Sequence, residues 1–186
     1  MALREQWYSL EAFHEIVGLP ENAEKRLEWE DGVIVDMGPS TRLNTVTAAR
    51  IGYFLNAHVI PNDLGFVTGA DGGFHLQSAR RVRRPDVAFV SKRHGIALTG
   101  VEFDIAPDLA VELVSPDEDV FKKATEYLHS GTQMVWAVYA EERIVYVMTL
   151  NERGAIMSLP FTENDTLDGG TVLPGFLLPV REIFPT

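Results

Sequence analysis

Glu112 is the one ionisable residue in the apolar run Leu109–Val114. A carboxylate in such a run must be paired, protonated or bound to a cation. Asp86 lies 26 residues earlier, at the mouth of a second apolar run, Val87-Ala88-Phe89-Val90. Hairpin-like pairing of the two runs would bring these acids together. Neighbouring carboxylates repel unless they share a proton or hold a cation. All-oxygen ligation suits Mg²⁺ or Mn²⁺, which take one or two carboxylates and keep several waters. Glu28, from an earlier segment, is a candidate third acid. In the competing arrangement Asp86 starts a turn after Pro85, and Glu112 pairs with an arginine.

If a phosphate is the target, a cation is needed beside these acids. Lys122 and Lys123 follow Glu112 on a helical pattern whose apolar arc is Val120, Phe121, Ala124, Tyr127 and Leu128. About 100° separates the two lysines around a helix. Lys122 points away from the arc, flanked by Glu118 and Glu126 at four-residue spacing, a solvated ion-pair face. Lys123 borders the arc beside Val120 and Tyr127 and is better placed to reach inward. The other reading of Lys123 is a surface lysine lying along its own stem. Four arginines in five positions, Arg80, Arg81, Arg83 and Arg84, form a basic strip just before Asp86. They read either as solvent-facing residues of a strand or as phosphate contacts.

The elements that must position these groups follow from periodicity. Residues 9–17 have helical spacing at Leu10, Phe13, Ile16 and Val17, with Ser9 as N-cap. Asp31-Gly32 is a hairpin turn signal between 26–30 and 33–37. Residues 43–60 give the longest helical pattern. Strands are expected near 65–67, 73–77, 87–90, 109–114, 134–139 and 144–150, and again at Val180–Phe184. The stretch 91–106 reads as a loop. Ser115, Pro116 and Glu118 form a helix-start signal directly after the strand of Glu112, and Gly131 ends that helix. This order of helices and strands implies an α/β or α+β fold, a mixed central sheet flanked by helices. One domain over residues 1–186 is the expectation.

Composition narrows the function classes. The chain is 46% hydrophobic and 23% charged, with a formal net charge of −11 and no cysteine. Thiolate metal sites and disulfides are therefore excluded. The five histidines show no zinc-ligand spacing, and no phosphate-cradling glycine loop or nucleophile elbow occurs. No apolar run reaches the roughly 18 residues of a membrane helix, and no signal peptide is visible. The expectation is a cytoplasmic protein without a membrane partner. The acidic balance disfavours broad, unaided adhesion to nucleic acid.

The motifs also resemble a known family. Arg-Pro-Asp-Val-Ala-Phe-Val at 84–90 is followed by Pro-Asp-Leu-Ala-Val-Glu-Leu-Val-Ser-Pro at 107–116, then by Lys123, Tyr127, Gly131 and Trp136. Leu-Glu-Trp-Glu-Asp-Gly at 27–32 and Leu-Pro-Gly-Phe at 173–176 extend the pattern to both ends. This resembles the Uma-two family of restriction-endonuclease-like proteins, in the PD-(D/E)xK nuclease superfamily. The resemblance implies a restriction-endonuclease-like fold and metal-dependent hydrolysis of phosphodiester bonds. Asp86 and Glu112 match the two metal-binding acids, and Glu28 matches the acid of the N-terminal segment. Val114 stands where the superfamily motif has lysine; Lys123, on the next helix, matches the displaced lysine. Its implied role is to orient or activate the attacking water and to offset phosphate charge. The chain departs from the family pattern at Leu27, at Leu43 or Asn44 in place of a histidine, at Met134-Val135-Trp136, and at Tyr139. None of these positions is a proposed metal ligand.

The reading from sequence is thus a Mg²⁺- or Mn²⁺-dependent DNA endonuclease. Asp86, Glu112 and Glu28 bind metal, Lys123 serves the water, and Arg83 and Arg84 steer phosphates. A homo-oligomer, with a two-fold dimer as the natural form for cutting a duplex, is the expected assembly. The rival classes are a catalytically inactive nuclease-fold module for nucleic-acid or protein interaction, and a hydrolase of small phosphorylated molecules.

Overall fold

The structure is a computed structural model that describes residues 6–115 and 118–185. Helix α1 (Leu10–Val17) is capped by the Ser9 side chain, which accepts from the Ala12 N–H. Strands β1 (Leu27–Glu30) and β2 (Val33–Asp36) pair antiparallel. Their turn places Asp31 at φ 47° and Gly32 at φ 98°, the positive-φ pair that a tight hairpin requires. Helix α2 (Arg42–Val59) follows, capped by Thr41. Then come β3 (Gly65–Gly69), β4 (Gly73–Leu76), β5 (Arg81–Arg83), β6 (Val87–Ser91), β7 (Glu102–Phe103) and β8 (Leu109–Leu113). Helix α3 (Val120–His129) leads to β9 (Met134–Tyr139), β10 (Ile144–Leu150) and β11 (Ile156–Phe161). A final hairpin comprises β12 (Thr166–Asp168) and β13 (Leu177–Pro179).

Two larger sheets organise the chain. The six-stranded sheet runs β11-β10-β9-β8-β6-β3, and the five-stranded one runs β2-β1-β5-β4-β7. The first is mixed: β8 and β9 are parallel, the other neighbours antiparallel. The expected α+β architecture with a mixed central sheet is borne out. Among the described residues, no helix is long and apolar enough to cross a membrane.

Strand alternation decides which helix each side chain meets. Leu109, Val111 and Leu113 of β8 join Val87, Phe89 and the α2 residues Ile51, Leu55 and Val59 in one core layer. Ala110, Ala88 and Val90 join Val120, Ala124, Tyr127 and Leu128 of α3 in another. Glu112 shares the parity of Ala110, so it is aimed at α3. A smaller core of Phe13, Leu27, Trp29 and Val82 holds α1 on the five-stranded sheet.

Three expectations change. Helix α3 is capped by Asp119, whose side chain accepts from the Lys122 N–H. Ser115 instead donates its backbone N–H to Glu118 Oε2 at 3.2 Å, before the helix begins. Pro116 lies outside the described residues. Val180–Phe184 is no strand but opens with a 3₁₀ turn at Val180–Glu182. Val180, Ile183 and Phe184 are all buried, and that three-and-four spacing is helical. The stretch 91–106, expected as loop, contributes β7, which pairs parallel with β4.

Candidate active site

Strands β6 and β8 pair antiparallel, with Val87 opposite Val111. The next step of that register sets Asp86 against Glu112. The Leu113 N–H donates to Asp86 Oδ2 at 2.8 Å, so the end of β8 orients the Asp86 carboxylate. Arg26, just before β1, approaches Asp86 Oδ1 at 3.2 Å. Glu112 is 1% exposed. The Tyr127 hydroxyl donates to its Oε1 at 2.8 Å, and Lys123 Nζ lies 3.3 Å from its Oε2. Lys123 and Tyr127 sit four residues apart on the buried stripe of α3, one turn of helix. Lys123 Nζ also contacts Glu118 Oε1.

These groups converge on a cleft of ≈ 40 Å³ lined by Arg26, Ser40, Asp86, Glu112, Glu118 and Lys123 among others. That is room for about three or four water-sized occupants, at roughly 10–15 Å³ each. Burial pushes the Glu112 carboxyl up to about 8; Lys123 pulls it back, while Asp86, Glu28 and Glu118 push it further up. Burial likewise raises Asp86, against the Leu113 N–H, Arg26 and Lys123. For Lys123, burial works downward but is outweighed by Glu112, Glu28 and Glu118, so its pKa is raised. Lys123 is therefore a fixed ammonium at neutral pH. Tyr127 is raised well above its ordinary value, by burial first and by Glu112 next, and stays a proton donor.

The donor set fits a divalent cation held by two carboxylates. Three acids (Asp86, Glu112, Glu118) and two bases (Arg26, Lys123) line the cleft, which is balanced while Glu112 holds its proton and net negative once Glu112 ionises. An anionic phosphate is repelled from such a cleft unless a cation joins it. Each oxygen of Asp86 and Glu112 has one protein partner, and a carboxylate offers about four lone-pair sites. Lone pairs thus remain for a metal. Among the described residues, no group of three or more His, Cys, Asp or Glu side chains is arranged to hold an ion. Asp86 and Glu112 are the two candidate carboxylates, a number that Mg²⁺ accepts.

Three of the sequence expectations do not reach the cleft. Glu28 is 0% exposed, and both its oxygens are committed: Oε2 accepts from Arg83 Nη1 at 2.6 Å and Oε1 from the Arg84 N–H at 3.0 Å. It influences Glu112 and Lys123 through its charge, not as a third ligand lining the cleft. Arg83 is 1% exposed and divides its guanidinium among Glu28, Glu30 and Glu126. Arg84 donates to the Leu27 and Asp71 carbonyls and approaches Glu102. Neither arginine faces a surface phosphate. The strip is also not solvent-facing at these positions, because β5 is a central strand of the five-stranded sheet and α3 covers it through Glu126.

Arg26 and Glu118, which line the cleft, and Tyr127, which stands behind it on Glu112, are the site residues that spacing alone left out. Tyr127 carried a signal, lying four residues after Lys123. Glu118 read as a partner of Lys122, which instead reaches Glu30 at 3.1 Å. Arg26 carried no signal, since only the pairing of β1 with β5 brings it beside Asp86.

Residues 10–181 match the family model Uma2, described as a putative restriction endonuclease. The chain belongs to the Uma2 family. The family resemblance read from the motifs at 84–90 and 107–116 is thereby borne out. A crystal structure described as a putative nuclease belonging to DUF820, from Anabaena variabilis, is similar in fold, with a TM-score of 0.78. It is 20% identical, and the alignment covers 95% of this chain and 97% of that one. No curated protein matches this Uma2 chain.

Proposed function

We propose that this Uma2 protein is an endonuclease that hydrolyses DNA phosphodiester bonds with Mg²⁺ or Mn²⁺ held by Asp86 and Glu112. One observation carries the reading: two carboxylates with raised pKa values share a small cleft with a buried lysine, in a chain of a nuclease family. Bound between the acids, the cation would polarise a phosphoryl oxygen and acidify a water. The chain's own groups do the positioning. The Tyr127 hydroxyl fixes Glu112 through Oε1, and the Leu113 N–H and Arg26 fix Asp86. Lys123 Nζ keeps its protons and donates toward a phosphate oxygen or the attacking water, offsetting charge that grows in the transition state. A fixed ammonium suits that role better than removal of a proton from water.

The test is cleavage of labelled DNA by purified protein with Mg²⁺, with Mn²⁺ and with chelator. Metal-dependent cleavage that Asp86→Asn abolishes is expected. Cleavage that survives the chelator, or no cleavage under any condition, would overturn the reading.

A second reading, an inactive nuclease-fold module, draws on the fact that every oxygen of Asp86 and Glu112 already has a protein partner. Calorimetric titration of Mn²⁺ separates the two. Heat in wild type that Glu112→Gln loses supports the enzyme; no heat in wild type supports the module.

A further inference from the structure

We propose that the groove between α2 and β3 seats an unpaired nucleotide, so that the DNA strand presented to the cleft is single-stranded. The inference rests on the nuclease reading above and adds the form of its substrate.

The groove has a volume of ≈ 580 Å³ and shares Arg26, Ser40 and Asp86 with the cleft. A strand with its phosphate in the cleft would continue directly into it. The volume falls within the roughly 300–1,000 Å³ of small-molecule sites. Its only charged lining residues are Arg26 and Asp86, which pair with each other at 3.2 Å. Rows of duplex phosphates call for a cationic surface, and this groove has no net charge to offer. A base and its sugar are neutral and match it.

Two side chains supply specific contacts. Asn44 is 6% exposed, lines the groove, and its side-chain amide has no hydrogen-bond partner among the described residues. The amide is not one of the buried unpartnered polar groups of the described residues, and its donors and acceptor suit a base or sugar edge. Tyr53 is 67% exposed on the same lining, with its ring 5.2 Å from that of Phe54. Exposed aromatic rings stack on unpaired bases regardless of sequence. Between them, Ala48, Ala49 and Gly52 keep the α2 wall low. A single strand also needs one active site, not the two-fold pair that a duplex cut invites.

Fluorescence anisotropy with a short labelled single strand in Ca²⁺ buffer tests the groove. A Cβ at Gly52 would meet nothing within 4 Å, so Gly52→Leu fills the groove without invading the core, and its Tm checks the fold. The strand is expected to outcompete its own duplex by about tenfold or more, and Gly52→Leu, Tyr53→Ala and Asn44→Ala each to weaken strand binding by about tenfold. A duplex or a free deoxynucleoside monophosphate that competes as well as the strand overturns the proposal. Strand binding unchanged in Gly52→Leu does the same. Wild-type hydrolysis of bis(p-nitrophenyl) phosphate, which has no nucleoside to seat, reads the cleft separately. Its absence with Mg²⁺ and Mn²⁺ would sink the nuclease reading. Its presence, with strand binding indifferent to Gly52→Leu, would sink only the groove.

Discussion

Lys123 Nζ lies 3.3 Å from Glu112 Oε2, with both residues buried between α3 and the six-stranded sheet. Removing one member of a buried pair usually costs about 3–5 kcal/mol, because the other charge is stranded. Here Glu112 has an escape, since its carboxyl titrates at about 8. Below that value it can take a proton and become neutral. Lys123→Met should therefore be destabilised much more at pH 9 than at pH 6, measured as the change in Tm against wild type. Nuclease activity should fall by about a hundredfold or more, the scale of losing one donor to transition-state charge. An equal loss of Tm at both pH values would show that Glu112 does not carry the titration.

The same carboxyl makes stability depend on pH in a definite direction. Its ordinary value is 4.5 and its folded value about 8. A group raised on folding gives its full stabilisation below the unfolded value, and loses it as pH rises through the folded one. Wild type should thus melt at falling temperature between about pH 5 and 8, and Glu112→Gln should flatten that slope. Asp86 is raised too, so some slope remains in the variant. Mn²⁺ binds the ionised form, so the Tm increase it produces in wild type should be larger at pH 8 than at pH 5.5. Differential scanning at four or five pH values, with and without Mn²⁺, measures both effects.

Much of this arrangement was legible in the sequence, for physical reasons that differ by residue. Glu112 stood out because an acid in an apolar strand must be explained. Lys123 stood out because helical spacing put it beside Tyr127 on the apolar arc. Asp86 needed only the guess that two neighbouring strands pair. The misreadings came from interactions between distant segments. Arg81 and Arg83 both reach Glu126, 45 and 43 residues along the chain, and no local pattern announces that α3 will cover β5. Glu28 looked like a ligand because it is an acid in a strand, yet β1 lies in the other sheet, where Arg83 claims it. At the start of α3, Glu118 does reach back to the Ser115 N–H as the capping-box signal implies, but the helix itself starts one turn later, where the Asp119 side chain accepts from the Lys122 N–H.

Arg83 should therefore behave as a structural residue, not as a surface phosphate contact. Burial works to lower its pKa, but Glu28 and Glu126 outweigh burial and raise it. Arg83→Met leaves Glu28, Glu30 and Glu126 facing one another without their shared cation. A loss of about 3–5 kcal/mol near neutral pH is expected. Glu30, though burial works to raise it, is held below its ordinary value by Arg83 and Lys122. A lowered acid stabilises above its unfolded pKa and loses that contribution as pH falls. The gap in Tm between wild type and Arg83→Met should accordingly narrow below about pH 4.5. A variant that melts like wild type at pH 7 yet binds DNA weakly would return Arg83 to the phosphate-steering role.

Tyr127→Phe isolates the least disruptive contact behind the cleft. It removes one hydroxyl and leaves the ring in the α3 core layer. The Tyr127 hydroxyl donates to Glu112 Oε1 at 2.8 Å, and a donor to a carboxylate favours the charged form. Without it Glu112 should ionise at higher pH than in wild type. The stability cost should be about 1.5–3 kcal/mol, the worth of a hydrogen bond to a charged group. The distinctive readout is the pH at which Mn²⁺ begins to raise Tm, which should move upward in the variant. A structural contact with no bearing on the acids would lower Tm by a similar amount at every pH and leave that onset where it was.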